Sequence, residues 1–286
     1  MRHLALLIAF ALTYLILLPQ PAAEEIRLDG EVMQGGMVRG SAVLGTVITL
    51  DGRALRLSPA GHFVFGFGRD ALPEAELMAV HPDGKEETWT LTIRAREYDI
   101  QRIEGLPQKM VTPPAETLAR IRAESAKVRA ARDIDSAETH FSVPFIWPAK
   151  GRISGVYGSQ RILNGEPRQP HFGVDVAAPT GTPVHAPAAG EIRLAELDLY
   201  YSGGTIILDH GHGLSSSFLH MSRVDVVVGQ QVAQGEVIGA IGATGRVTGA
   251  HLDWRMNWFE QRLDPALLVA AQVPKPKLKP QPQPAN

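Results

Sequence analysis

The chain has 286 residues, enough for two domains that each bury a core. Its 28 basic and 30 acidic residues leave a formal charge of −2, so nothing in the balance suggests nucleic acid or a polyionic partner. It has no cysteine, which excludes disulfides, thiolate ligands and cysteine nucleophiles and leaves His, Asp and Glu to build any metal site.

Residues 1–23 read as an export signal. Arg2 is followed by the apolar run Leu4 to Leu18, then by Pro19-Gln20-Pro21-Ala22-Ala23. The run is roughly fifteen residues, shorter than the ~20 a spanning helix needs. The expected location is the periplasm or cell envelope, with an N-terminal membrane anchor as the alternative if the signal is not cleaved.

Residues 24–98 predict a small β-sandwich-like domain. Turn signals recur at Gln34-Gly35-Gly36, Asp51-Gly52, Pro59-Ala60-Gly61 and Pro82-Asp83-Gly84, with strand-like runs such as Val47–Leu50 and Phe63–Phe67 between them. No chemistry-bearing cluster falls here. Residues 99–142 predict a linker with one helix, capped by Thr112 and opened by Pro113. Leu118, Ile121 and Val128 form its apolar stripe, and Arg120, Arg122, Arg129 and Arg132 a solvated face. From 143 to 270 glycine and short β-branched runs predict an antiparallel β core. Residues 271–286, which alternate proline with Lys and Gln, predict an extended, unpacked tail.

The chemistry concentrates in three stretches. In Pro170 to Val176, a period of two puts Phe172, Val174 and Val176 on an apolar face. His171 and Asp175 fall on the other, with Gly173 leaving the space between them empty. Alone, such a pair is most simply an exposed or hydrogen-bonded couple. In Ser216 to Met221, alternation sets Leu219 and Met221 against His220. In His251 to Met256 it sets Leu252, Trp254 and Met256 against His251, Asp253 and Arg255. Burying three such polar rows would be costly, so they are expected to line a wet groove. A hydrolytic zinc site wants three protein ligands and an open position, which His171, Asp175 and Asp253 can supply. His220 and His251 then remain to accept a proton or steady an oxyanion. His210 and His212, at a turn, are ranked as structural.

Residues 144–268 resemble the lysostaphin-type (LytM-like) zinc metallopeptidases that cut peptidoglycan peptides. The resemblance rests on His171-x-x-x-Asp175, on Phe218-Leu219-His220-Met221-Ser222 and on Gly249-Ala250-His251-Leu252-Asp253. Trp147-Pro148, Ala186-Pro187-Ala188-Ala189-Gly190 and Gly235-Glu236-Val237-Ile238-Gly239 add to it. It implies a mainly β protein with a C-terminal antiparallel peptidase core and one Zn²⁺ per chain. His171 and Asp175 would be ligands, and His220 and His251 the catalytic pair. The family's third ligand is the second His of His-x-His; here that position is Asp253. Two carboxylates cancel the charge of Zn²⁺, so its water should be less acidified and a carbonyl less polarised. If the Asp253 carboxylate is a ligand, an Asp253→His variant should keep or tighten metal binding.

The implied function is a zinc metalloendopeptidase acting on peptidoglycan cross-links or stem peptides. Other cell-wall or divisome proteins are candidate partners, and nucleic acid is not. The alternative, favoured by Asp253, is a degenerate LytM-like module that binds wall or activates another wall hydrolase. A biotinyl- or lipoyl-type carrier is excluded, because residues 151–270 contain no lysine to modify.

Overall fold

The computed structural model describes residues 26–103, 115–163, 165–271 and 276–280. The expected export signal and the Thr112-Pro113 helix start lie outside the described residues. Among those described, no helix is long and apolar enough to cross a membrane.

The N-terminal unit holds β1 (Arg27–Gly30), β2 (Met37–Ser41), β3 (Val47–Leu50), β4 (Arg53–Leu55), β5 (His62–Gly66), β6 (Glu74–Val80) and β7 (Glu86–Thr92). They form a three-stranded sheet, β1-β2-β5, and a four-stranded sheet, β4-β3-β6-β7. Asp51 and Gly52 join β3 to β4 with φ of 47° and 77°, as a tight hairpin with right-handed twist demands. Phe63 and Phe65 are fully buried. Gly40 is needed beside them, because a Cβ there would lie 2.1 Å from the Phe63 ring.

The linker supplies more than the one helix expected of it. It carries β8 (Ile100–Ile103) as well as α1 (Ala115–Arg132). The C-terminal region holds β9 (Arg152–Gly155), β10 (Gln160–Leu163), β11 (Glu166–Pro167), β12 (Val174–Ala177), β13 (Pro183–His185) and β14 (Gly190–Leu199). It continues with β15 (Gly203–Gly211), β16 (Leu214–Val224), β17 (Gln231–Val232), β18 (Val237–Ile241), β19 (His251–Trp258) and β20 (Gln261–Leu263). The large sheet runs β17-β14-β15-β16-β19-β12-β9, with β18, β13 and β20 off this path. Its pairings are antiparallel; β8 instead joins β10 in parallel in a separate small sheet with β11. The fold is mainly β, as expected, and the three motif strands β16, β19 and β12 are consecutive neighbours.

One face of the large sheet is the core. Val174, Val176, Phe218, Leu252, Trp254 and Met256 are all buried there, and Trp147 meets Trp254 edge-on at 5.7 Å. On the opposite face, Val128 and Ala131 of α1 pack on Leu194, Leu199 and Ile207. Of the four arginines expected on the solvated face, Arg132 is not there. It sits where the helix end meets the sheet, is buried, and donates to Ser217 Oγ at 3.1 Å. The tail is also tied down where it is described. Glu97 N donates to Lys277 O, and Lys279 N to Ala95 O, so this stretch is extended but paired.

His210 is structural. Its Nδ1 donates to Ala189 O at 2.8 Å, and its Nε2 accepts from Ser216 Oγ at 2.8 Å. Burial pushes this imidazole down from 6.5 to about 4, and burial does the same to His212. As pH falls from 6.5 towards 4, the unfolded chain takes up these protons before the folded one. Stability is then fully present above 6.5 and falls on acidification, by about 1.4 kcal/mol per pH unit for His210. Thermal unfolding of metal-free protein between pH 7 and 4.5 should show this slope, and His210→Asn should flatten it.

Candidate metal site and cleft

Asp175 of β12 lies directly opposite Asp253 of β19 in the strand register. Like charges so placed repel unless a cation lies with them. His171 belongs to the loop before β12 rather than to the strand itself; Pro170 and Gly173 break the pattern there. Phe172 accordingly misses the core and lies half-buried near Arg262. The loop still delivers the imidazole, with His171 Nε2 3.1 Å from Asp175 Oδ1. One ligand atom each from His171, Asp175 and Asp253 lies within 4.8 Å of the others.

These residues fit a divalent ion on two grounds. His171 Nε2 and Asp175 Oδ1 are buried and make no hydrogen bond among the described residues; their contact has the distance but not the geometry of one. Buried polar atoms rarely go unsatisfied, and an ion between them would satisfy both. One imidazole and two carboxylates are also a donor set that Zn²⁺ accepts.

Glycines make the room. A Cβ on Gly173 would fall 2.3 Å from Asp253 Oδ1, and one on Gly155 would fall 2.2 Å from Asp175 Oδ2. The space expected to stay empty at Gly173 thus holds the carboxylate of Asp253. The N-terminal unit steadies the same loop. Buried Arg69 donates from Nε to Gly158 O at 2.9 Å, and Gly158 N donates to His171 O at 2.8 Å.

β16 reaches the cleft by an irregularity that alternation did not foresee. Phe218 pairs with Trp254 in the core, and Leu219 pairs with Asp253, so Leu219 stands on the cleft side. Strict alternation would then turn His220 inward. The register shifts between β15 and β16 here, and His220 takes a φ of 66°. Such a bulge re-aims a side chain. His220 ends beside His251, ring centroids 4.9 Å apart, while Met221 returns to the core.

Both histidines are oriented through Nδ1. His220 Nδ1 lies 2.9 Å from Thr244 O, and His251 Nδ1 lies 2.8 Å from Gly249 O. A carbonyl only accepts, so Nδ1 carries the proton in each and Nε2 keeps the lone pair. His251 Nε2 is 3.9 Å from Asp175 Oδ1. Burial holds the His220 imidazole below its usual value, which favours the neutral, proton-accepting form. His171 is raised overall: burial opposes its charge, but Asp175 and Asp253 outweigh it. Asp253 is 2% exposed. Burial would raise its carboxyl, yet Arg255, His171 and His220 together hold it well below the usual carboxylate range.

The cleft has a volume of about 290 Å³ and is lined by all five of these residues and by Arg246, Val247 and Thr248. A larger cavity of about 710 Å³, beside Arg96, Tyr98 and Tyr157, contains none of the five. Arg255 falls on the polar row of His251 to Met256, where alternation alone assigns it no role. The structure has it gripping Asp253, a contact signalled by the Asp-x-Arg spacing on one strand face. Thr244 and Gly249, which orient the histidines through backbone carbonyls, carried no side-chain signal.

The antiparallel sheet thus brings two carboxylates and three imidazoles together beside an open cleft. Residues 169–265 match Peptidase family M23, so the chain carries a domain of that family, and the resemblance read from its motifs holds. Among curated relatives, the chain is 37% identical over 109 residues to peptidoglycan DD-endopeptidase ShyA of Vibrio cholerae, which covers 38% of this chain and 25% of that one. It is 31% identical over 165 residues to cell division protein DipM of Caulobacter vibrioides, covering 56% of this chain and 26% of that one. The matches thus span about a quarter of those relatives' length. A Pseudomonas aeruginosa crystal structure assigned to peptidase M23 is similar over 83% of this chain and 95% of its own, with 29% identity and a TM-score of 0.63.

Proposed function

We propose that the protein is an exported zinc-dependent endopeptidase that hydrolyses peptide bonds of peptidoglycan. The observation that carries this reading is the convergence of His171, Asp175 and Asp253 on one point, with His220 and His251 beside it. The names of ShyA and of DipM support a wall substrate and a division setting, and division or wall proteins as partners. The sequence of residues 1–23 supports export.

His171, Asp175 and Asp253 would hold the ion. When bound, it supplies a Lewis acid that acidifies water and polarises the scissile carbonyl. His220, neutral and with Nδ1 held by Thr244 O, presents Nε2 to take a proton from the attacking water. His251, held by Gly249 O, presents Nε2 to the same space; in the imidazolium form, its second proton taken from solvent before substrate binds, it would donate a hydrogen bond there and steady the developing oxyanion. Carrying both rings on backbone carbonyls fixes their tautomer before substrate arrives. A second reading, a wall-binding or activating module without catalysis, is favoured by one observation: Asp253 is already paired with Arg255.

Purified protein incubated with peptidoglycan, with and without chelator, separates the two. The enzyme releases peptide fragments, identified by mass, and stops when the metal is removed. Absence of released fragments from zinc-loaded protein would contradict the proposal.

A further inference from the structure

The family resemblance implies one carboxylate ligand, and this cleft holds two. Arg255 answers the second. It follows Asp253 by two residues on the same face of β19, and its Nε lies 3.0 Å from both carboxylate oxygens while Nη2 lies 2.5 Å from Oδ2. Asp253 is its only ion-pair partner among the described residues. A carboxylate offers about four acceptor positions, so a forked guanidinium does not exhaust it. One oxygen of this carboxylate still lies within 4.8 Å of the ligand atoms of His171 and Asp175, at the wall of the cleft.

The charge count gives the consequence. A divalent ion with one carboxylate carries a net +1, and with two it carries none. Two carboxylates and one guanidinium restore +1. We propose that Asp253 and Arg255 act as one unit, a guanidinium-neutralised carboxylate that takes the place of a neutral third ligand and keeps the metal site positively charged. Arg255 is thus a positioning and charge-setting residue, not a ligand, and the inference rests on the zinc reading above. It also reverses the expectation for Asp253→His. With Arg255 in place, that change leaves a guanidinium unpaired beside the cation.

Zinc affinity of the purified full-length protein, measured by competition with a chromophoric chelator, tests this without reference to activity. Wild type should take one Zn²⁺. Arg255→Met should bind at least tenfold tighter, since a full negative charge is freed beside the ion, whereas Arg255→Lys, which keeps the charge, should stay within about threefold; outer partners of ligands commonly shift affinity by about 10–100-fold. Asp253→His should bind at least tenfold weaker. The double variant Asp253→His, Arg255→Met should return to near wild-type affinity, so the two changes are strongly non-additive. If Arg255→Met does not fold without metal, the comparison of Asp253→His with the double variant carries the test. Additive effects, or an Arg255→Met affinity within twofold of wild type, would overturn the inference and leave the zinc reading standing. Zinc taken up by Arg255→Met but not by wild type would show the guanidinium occupying the ion's place and overturn both. Zinc bound by none of these proteins would sink the zinc reading itself.

Discussion

Replacing His220 by alanine is expected to leave zinc bound at one ion per chain while cutting peptide hydrolysis by roughly 10²–10⁴-fold. Among the described residues the imidazole touches none of the proposed ligands by hydrogen bond, and its only such partner is the carbonyl of Thr244. Removing it therefore takes away the group that accepts the proton and leaves the donor set intact. His171→Ala should behave differently, losing zinc and hydrolysis together, because its Nε2 is one of the three converging atoms. Metal analysis of both variants beside their rates on isolated wall peptides checks the pair. Zinc-loaded His220→Ala that cuts at the parent rate would refute the role given to this residue.

The second large effect concerns stability, and it lies between the two parts of the chain. Arg96 of the N-terminal region meets Asp264, just after β20, with Nη2 and Oδ2 2.9 Å apart and the two side chains 7% and 5% exposed. Asp264 also accepts from Ala266 N and so caps the short helix that follows. Burial raises its carboxyl above the usual range despite Arg96. Arg96→Met should cost about 3–5 kcal/mol, because it strands a buried carboxylate. Adding Asp264→Asn should recover a large part of that loss, since no charge then remains unpaired. Urea unfolding of the two single variants and the double variant measures the coupling. A single-variant loss below about 1 kcal/mol, as for an exposed pair, would mean that this contact does not hold the two parts together.

Much of this was legible because it is local. Alternation in Val174–Val176 and Leu252–Met256 set the buried face, and the opposite residues then had to face the cleft. Asp51-Gly52 announced its hairpin because few residue pairs tolerate positive φ. What the sequence hid is non-local or irregular. His220 reaches the cleft through a register shift that breaks the period on which its placement was argued. Arg132 looked like one more arginine on a solvated helix, and only the docking of α1 on β14 and β15 buries it. The pairing of β8 with β10 joins segments about sixty residues apart, too far for any local pattern to name the partner. The grip of Arg255 on Asp253 lay between these cases. The spacing was visible, but its meaning depended on how deeply the sheet buries the carboxylate.

The central claim is that a divalent cation sits among His171, Asp175 and Asp253. Anomalous scattering from crystals of zinc-loaded protein, collected on both sides of the zinc edge, tests it most directly. A single peak within bonding distance of His171 Nε2, Asp175 Oδ1 and the Asp253 carboxylate is the predicted result. No peak there, with the guanidinium of Arg255 filling the space between the two carboxylates, would contradict it.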